Sequence, residues 1–221
     1  EQLESDPAVI PYVKKSYTEA RCAELGKNDH GEIDSWIRGG LAGAKEWVLI
    51  GGPPCQAYSI AGRAQDPNSM KDDYRNYLFE SFVKVVCEFR PKAFVFENVP
   101  GLLSACPGDI PVTKRIYDAF SRAGYAIYSQ ERMKSAIYSA SDFGVPQKRN
   151  RVIIIGVKRG ASLKIEDIYS ELDSRKIKTA PKTVKDAIGK LPLILPLKKT
   201  AKLGGKNVSH FQERGDLVSH H

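Results

Sequence analysis

The sequence predicts an α/β fold built on a mainly parallel sheet with helices on both faces. Three observations predict it. Short apolar runs at residues 47–50, 93–96, 125–128 and 152–157 have the length and composition of buried strands. Amphipathic helical patterns separate some of them, and strand–helix alternation is the signature of a parallel, crossover-connected sheet. Finally, three polar stretches rich in reactive groups each lie beside one of these runs, where such sheets bind ligands.

The elements follow in order. Val48-Leu49-Ile50 reads as the end of a buried strand, and Gly51-Gly52-Pro53-Pro54 stops it. Gly39-Gly40-Leu41-Ala42-Gly43, just upstream, reads as a helix end and turn. Leu78, Phe82, Val85, Val86 and Phe89 fall on one helical face, and Arg90-Pro91 ends that helix. Cys87 lies in this apolar pattern and is expected in the core. A second helix spans residues 113–123 with Ile116 and Phe120 inward. Beyond Val157 the texture becomes lysine-rich, and Pro192 and Pro196 forbid a regular helix there. The domain reading is therefore a catalytic body over 1–157 and a basic connection over 158–221.

Composition excludes several classes. At 221 residues, 42% hydrophobic and 27% charged, the chain is globular in character. No run of roughly 18 apolar residues is present, so no membrane partner is expected. The N-terminus lacks a basic and an apolar region, so no secretory signal is visible and a cytoplasmic location is expected. The four cysteines, Cys22, Cys55, Cys87 and Cys106, show neither C-x-x-C nor metal-ligand spacing, which fits reduced thiols and no metal site. The formal net charge is +8, and residues 157–206 alone hold 13 Lys/Arg against 5 Asp/Glu. That basic segment suits a polyanion, nucleic acid above all. Charge alone fits a solvated linker equally well.

The reactive residues narrow the chemistry. Cys55 follows two glycines and two prolines at a strand end, a rigid placement that suits a nucleophile. Glu97-Asn98-Val99 follows the strand 93–96, and Gln147-Lys148-Arg149-Asn150-Arg151 precedes the strand 152–157. Strand alternation directs Arg149 and Arg151 to one face. A thiol, a carboxyl and guanidinium groups suit the activation of C5 of a pyrimidine. The thiolate adds at C6, the acid relieves charge at N3, and arginine grips a carbonyl oxygen as density builds.

Gly51-Gly52-Pro53-Pro54-Cys55-Gln56, Glu97-Asn98-Val99 and Gln147-Lys148-Arg149-Asn150-Arg151 resemble the ordered motifs of the DNA cytosine-5 methyltransferase family, bacterial modification type. Asp142-Phe143-Gly144-Val145-Pro146 and Tyr74-Arg75-Asn76-Tyr77-Leu78-Phe79 extend the resemblance over roughly residues 1–157. The resemblance implies a Rossmann-like, S-adenosylmethionine-dependent methyltransferase fold. It implies Cys55 as nucleophile, Glu97 as the acid at N3 and the exocyclic amine, and Asn98 as support for the active-site loop. Arg151 would contact base O2, with Arg149 as its companion. Gln56, Ser59 and Arg63 would lie on the loop that closes on a flipped base, where Gly62 and Lys71 would also meet DNA. For the cofactor it implies Glu4 at the ribose, with Pro54 and Leu78 lining the cleft.

The chain departs from the full pattern. The family's aromatic-x-G-x-G loop and its late Asn motif are not found, and the acid near the adenine amine is open between Asp29 and Glu32. The expectation is a chain that is incomplete at both ends, binds cofactor weakly alone and does not turn over. The partners expected are double-stranded DNA and a cognate restriction endonuclease system, with the protein a monomer. Alternatives are a tRNA cytosine-5 methyltransferase of the same architecture, a catalytically inactive DNA-binding fragment, or a thymidylate-synthase-like enzyme, against which the motif at 147–151 argues.

Overall fold

The computed structural model describes residues 7–23, 30–54, 78–106, 109–191, 194–196, 201–203, 206–208 and 211–213. They divide into two compact units, residues 1–137 with 151–170 and residues 138–150 with 171–221.

In the first unit, helices α1 (Ile10–Glu19) and α2 (His30–Leu41) precede strand β1 (Val48–Gly51). Helix α3 (Leu78–Phe89) leads to β2 (Ala93–Asn98), and α4 (Val112–Arg122) leads to β3 (Tyr125–Ala126). The expected helix end is found between α2 and β1, with Ala42 and Gly43 at φ 47° and 81°. After β4 (Ile137–Ser139) comes the nine-residue β5 (Asn150–Lys158), then α5 (Ile165–Ser174). The sheet order in this unit is β1-β2-β5-β3.

The α/β reading holds, but the sheet is mixed rather than mainly parallel. β1 and β2 are parallel. β5 runs antiparallel to both β2 and β3. A parallel pair needs a crossover of about a dozen residues, usually helical. The stretch between β3 and β5 instead holds two 3-10 turns, Arg132–Ala136 and Ala140–Phe143, and the short β4, so the chain returns in the opposite sense.

Helices α3 and α4 share one face of the sheet. Phe94 and Phe96, two apart on β2, point to that face. They meet Phe82 of α3 and Phe120 of α4, with the Phe94 and Phe120 ring centroids 4.2 Å apart. Phe94, Phe96, Ile116 and Phe120 are fully buried, the last two as the helical spacing foretold. Cys87 is a correction: it is exposed, as are Cys22 and Cys106. One residue turns a helix by about 100°, so Cys87 leaves the face on which Val86 is wholly buried.

Three polar side chains tie the sheet. α3 stops at Phe89, and Arg90, which Pro91 keeps out of the helical region, follows it at φ 52°. The Arg90 guanidinium donates to the Ala123 carbonyl, 2.8 Å. Tyr125 donates its hydroxyl to the Pro91 carbonyl at 2.6 Å, and burial pushes the Tyr125 phenol up to about 12. On β5, the Tyr169 hydroxyl accepts from Ile155 N–H and donates to the Ile153 carbonyl, supplying ladder bonds from a side chain. Tyr169 stacks on Tyr128 at 4.0 Å, and the Arg132 guanidinium lies 4.1 Å from the Tyr128 ring centroid.

The second unit has its own small contacts. Tyr138 meets Phe143, and Lys176 Nζ lies over the Tyr138 ring. Ile177 N–H donates to the Asp142 carbonyl, 2.7 Å. Helix α6 (Val184–Ile188) opens with a Thr183/Asp186 capping box. Hydrogen bonds from the Thr183 backbone N–H, then its hydroxyl, hold the Asp186 carboxyl below its usual range. Strands β6 (Ile194–Pro196) and β9 (Phe211–Glu213) pair antiparallel, as do β7 (Ala201–Leu203) and β8 (Lys206–Val208).

Candidate active site

The carboxyl ends of the parallel strands β1 and β2 lie side by side. Gly51 is in register with Phe96, so Gly52 stands next to Glu97. Alternation along β2 puts Phe96 and Asn98 toward the helices and Glu97 on the opposite face. Glu97 is in register with Ile153 of β5. Arg151, two residues before Ile153, therefore shares its face and is a diagonal neighbour of Glu97, within reach of a long side chain. The Arg151 Nε lies 2.6 Å from Glu97 Oε1. The side chains are 21% and 36% exposed, so the pair is partly sheltered yet open to a ligand.

Asn98 is 1% exposed, and its amide is used on both sides. Nδ2 donates to the Pro53 carbonyl at 3.3 Å, and Oδ1 accepts from Val99 N–H at 2.9 Å. One buried side chain thus joins the end of β2 to the Pro53-Pro54 segment after β1. Buried amides of this kind cost about 1–3 kcal/mol when a partner is removed.

The two glycines are built into this geometry, beyond the strand stop and the motif in which the sequence places them. A methyl group on Gly51 would stand 2.6 Å from the Phe82 ring. On Gly52 it would stand 2.7 Å from Glu97 Oε2. The signal was present in the doubled glycine, because a bare backbone permits close approach. What was illegible is which side chain makes that approach.

Of the residues expected from the sequence, Glu97 and Arg151 are brought together, and Asn98 is joined to the segment that leads to Cys55. Arg149 belongs to the second unit, where it is exposed and its carbonyl accepts from Ala140 N–H. Pro54 is exposed beyond the end of β1. Leu78 is the first residue of α3; its side chain lies outside the described set. Cys55, Glu4, Gln56, Ser59 and Arg63 also lie outside the described residues. Among the described residues there is no group of three or more His, Cys, Asp or Glu side chains able to hold a metal. Nor is any described helix long and apolar enough to cross a membrane.

The C-5 cytosine-specific DNA methylase family matches over residues 8–216. The type II methyltransferase M.Bpa9945I of Bacillus paralicheniformis is 42% identical over 152 residues, 67% of this chain and 33% of its own length. The type II methyltransferase M1.HphI of Haemophilus parahaemolyticus is 36% identical over 173 residues, 78% of this chain and 41% of its own. The chain thus spans well under half of these relatives. Among solved structures, an E. coli prophage-encoded protein assigned to the DNA modification methyltransferases superposes with a TM-score of 0.57 at 29% identity. That match covers 82% of this chain and 44% of the other. The match over nearly its whole length places this chain in the C-5 cytosine-specific DNA methylase family.

Proposed function

We propose that the protein to which this chain belongs is a DNA (cytosine-5)-methyltransferase that moves a methyl group from S-adenosylmethionine to C5 of a cytosine flipped out of duplex DNA. The observation that carries this reading is the Glu97–Arg151 pair, seated against Gly52 three residues before Cys55. In this reading the Cys55 thiolate forms a bond to C6, and the ring electrons move toward N3 and O2. Glu97 hands a proton to N3, which leaves C5 with an enamine electron pair. Once C5 is methylated, a base takes the C5 proton, the C6–S bond breaks to release the thiolate, and N3 returns its proton to Glu97, which restores the ring.

Arg151 suits a double task. Its Nε serves Glu97, and its Nη groups are the donors assigned to base O2. Arg149 belongs to the same assignment as companion. Asn98 is a positioning residue, holding the backbone that runs into Cys55. Gln56, Ser59 and Arg63 are assigned to the loop over the base and its phosphates. S-adenosylmethionine supplies an electrophilic methyl group when bound. The described residue on which its fit can be tested is Pro54, whose exposure at the carboxyl end of β1 leaves it open to a ligand. With Leu78 it would line the cleft, and Glu4 would take the ribose hydroxyls. The wider assignments follow the family: a cytoplasmic, monomeric enzyme of a restriction–modification system.

The decisive test is a duplex carrying 5-fluorocytosine at the target, incubated with S-adenosylmethionine and the complete protein. Fluorine cannot leave as a proton, so a stable complex should form and resist denaturing electrophoresis, with the DNA attached at Cys55. Trapping on tRNA but not on duplex DNA would overturn the substrate assignment. Absence of any trapped species would overturn the covalent mechanism.

A milder substitution probes the seat of Glu97. The atom that a Gly52→Ala methyl would meet is the end of a flexible side chain, so the fold can yield by swinging Glu97 aside. The melting temperature should stay within about 3 °C while kcat falls about 100-fold, the cost of misplacing a reacting group by about 1 Å. Equal kcat in the variant would show that the Glu97 position does not matter.

A further inference from the structure

The end of the sheet opposite Glu97 carries a basic rim that the methyl-transfer reading does not use. Three backbone hydrogen bonds and one from a side chain define it. Lys92 N–H donates to the Trp47 carbonyl, Lys158 N–H to the Lys92 carbonyl, and Arg159 N–H to the Gly124 carbonyl. The Arg90 guanidinium donates to the Ala123 carbonyl. Residues 44–47, 90–93, 122–125 and 157–160 therefore form one row across β1, β2, β5 and β3, all within the first unit. These segments hold six cations, Lys45, Arg90, Lys92, Arg122, Lys158 and Arg159, against the single carboxylate of Glu46.

Part of this charge has internal work. Arg90 caps the end of α4, and Lys92 pairs with Glu46. Lys45, Arg122 and Arg159 are exposed. Strands lie about 4.8 Å apart, so four of them make a row about 14 Å wide. Duplex DNA presents about one charge per 1.7 Å of axis, roughly eight over that width. Glu97 lies five residues along β2 from Lys92, about 17 Å away at 3.3 Å per residue.

We propose that this rim binds the phosphate backbone of a second duplex DNA segment, without sequence preference, distinct from the segment engaged beside Glu97. The proposal rests on the reading that this protein acts on DNA, and goes beyond it by giving the protein two DNA-binding ends. Several cations spread over a nearly acid-free row match a regularly charged polymer, and phosphate contacts carry no sequence information.

The test compares the parent with K45Q/R122Q/R159Q, three exposed substitutions away from the catalytic end. The probe is a 30-base-pair duplex of random sequence. The slope of log Kobs against log[salt] should shrink in magnitude by about 2 to 3, since each lost phosphate contact removes about 0.9. A control that removes equal charge elsewhere, K14Q/K134Q/K164Q, should change it by less than about 1. Energy transfer between two differently labelled duplexes should appear with the parent and vanish with the rim variant. An unchanged slope, or an equal change in the control, would overturn the proposal, as would competition by polyglutamate without any slope change. Methyl transfer with an unaltered slope sinks the rim alone, and an altered slope without methyl transfer sinks the catalytic reading alone.

Discussion

Replacing Cys55 by serine is expected to lower methyl transfer by about 10,000-fold or more while duplex affinity stays within about threefold. The size follows from what the thiol must do. A cysteine is partly ionised at neutral pH, and its thiolate is intrinsically very nucleophilic; a serine hydroxyl is not, unless a base stands beside it. Neither Glu97 nor Arg151 is assigned to that task. Glu97 is held by Arg151 Nε and in the proposed reaction serves N3, and Arg151 carries no acceptor. Duplex affinity should survive, because it rests on phosphate contacts rather than on the sulfur. The check is incorporation of labelled methyl groups, alongside filter binding and a melting curve for each protein. Residual turnover above about 1% would discredit the covalent route. A parallel fall in affinity would instead mean that Cys55 helps to build the DNA surface.

Much of this site was legible in the sequence because it depends on local order. Apolar runs followed by glycine, proline and a reactive side chain mark strand ends, and period-two alternation sets which neighbours share a face. That logic, with the family resemblance, reached Glu97, Asn98 and Arg151. Strand direction was not legible, because it is set by how the chain returns. Residues 127–149 have no helical period that would have built a crossover, and that absence was the available clue to an antiparallel β5. Cys87 misled because an apolar neighbourhood in sequence is a ring in a helix: one step beyond buried Val86 the side chain faces outward. The roles of Gly51 and Gly52 depend on Phe82 and Glu97, 31 and 45 residues away in the chain, distances that no local pattern spans.

The same long-range dependence underlies the largest stability effect expected of this chain, that of Gly156→Ala. Gly156 pairs with Phe94 across β2 and β5. An added methyl group would stand 2.2 Å from two atoms of the Phe94 ring and 2.9 Å from a third. Unlike Glu97 at Gly52, this neighbour cannot swing aside. Phe94 is fully buried, with Phe120 at 4.2 Å, Tyr125 at 5.3 Å and Phe82 at 5.8 Å between ring centroids. Relief therefore demands movement of the strand or of the whole aromatic cluster. Overpacking a core by one methylene costs about 1–3 kcal/mol, occasionally more, and a rigid ring on the far side puts this site at the upper end, about 3 kcal/mol. For a chain of this size that lowers the melting temperature by about 6–12 °C. Near-ultraviolet circular dichroism, which reports on aromatic packing, is the measurement. A second substitution tests the cause: Phe94→Leu removes ring atoms from the point of collision, so G156A/F94L should lose less stability than the two single losses combined. A melting temperature within about 2 °C of the parent for Gly156→Ala would show that β5 and Phe94 are not packed as described. Because β5 also carries Arg151, the same result would unseat the Glu97–Arg151 pair on which the catalytic reading stands.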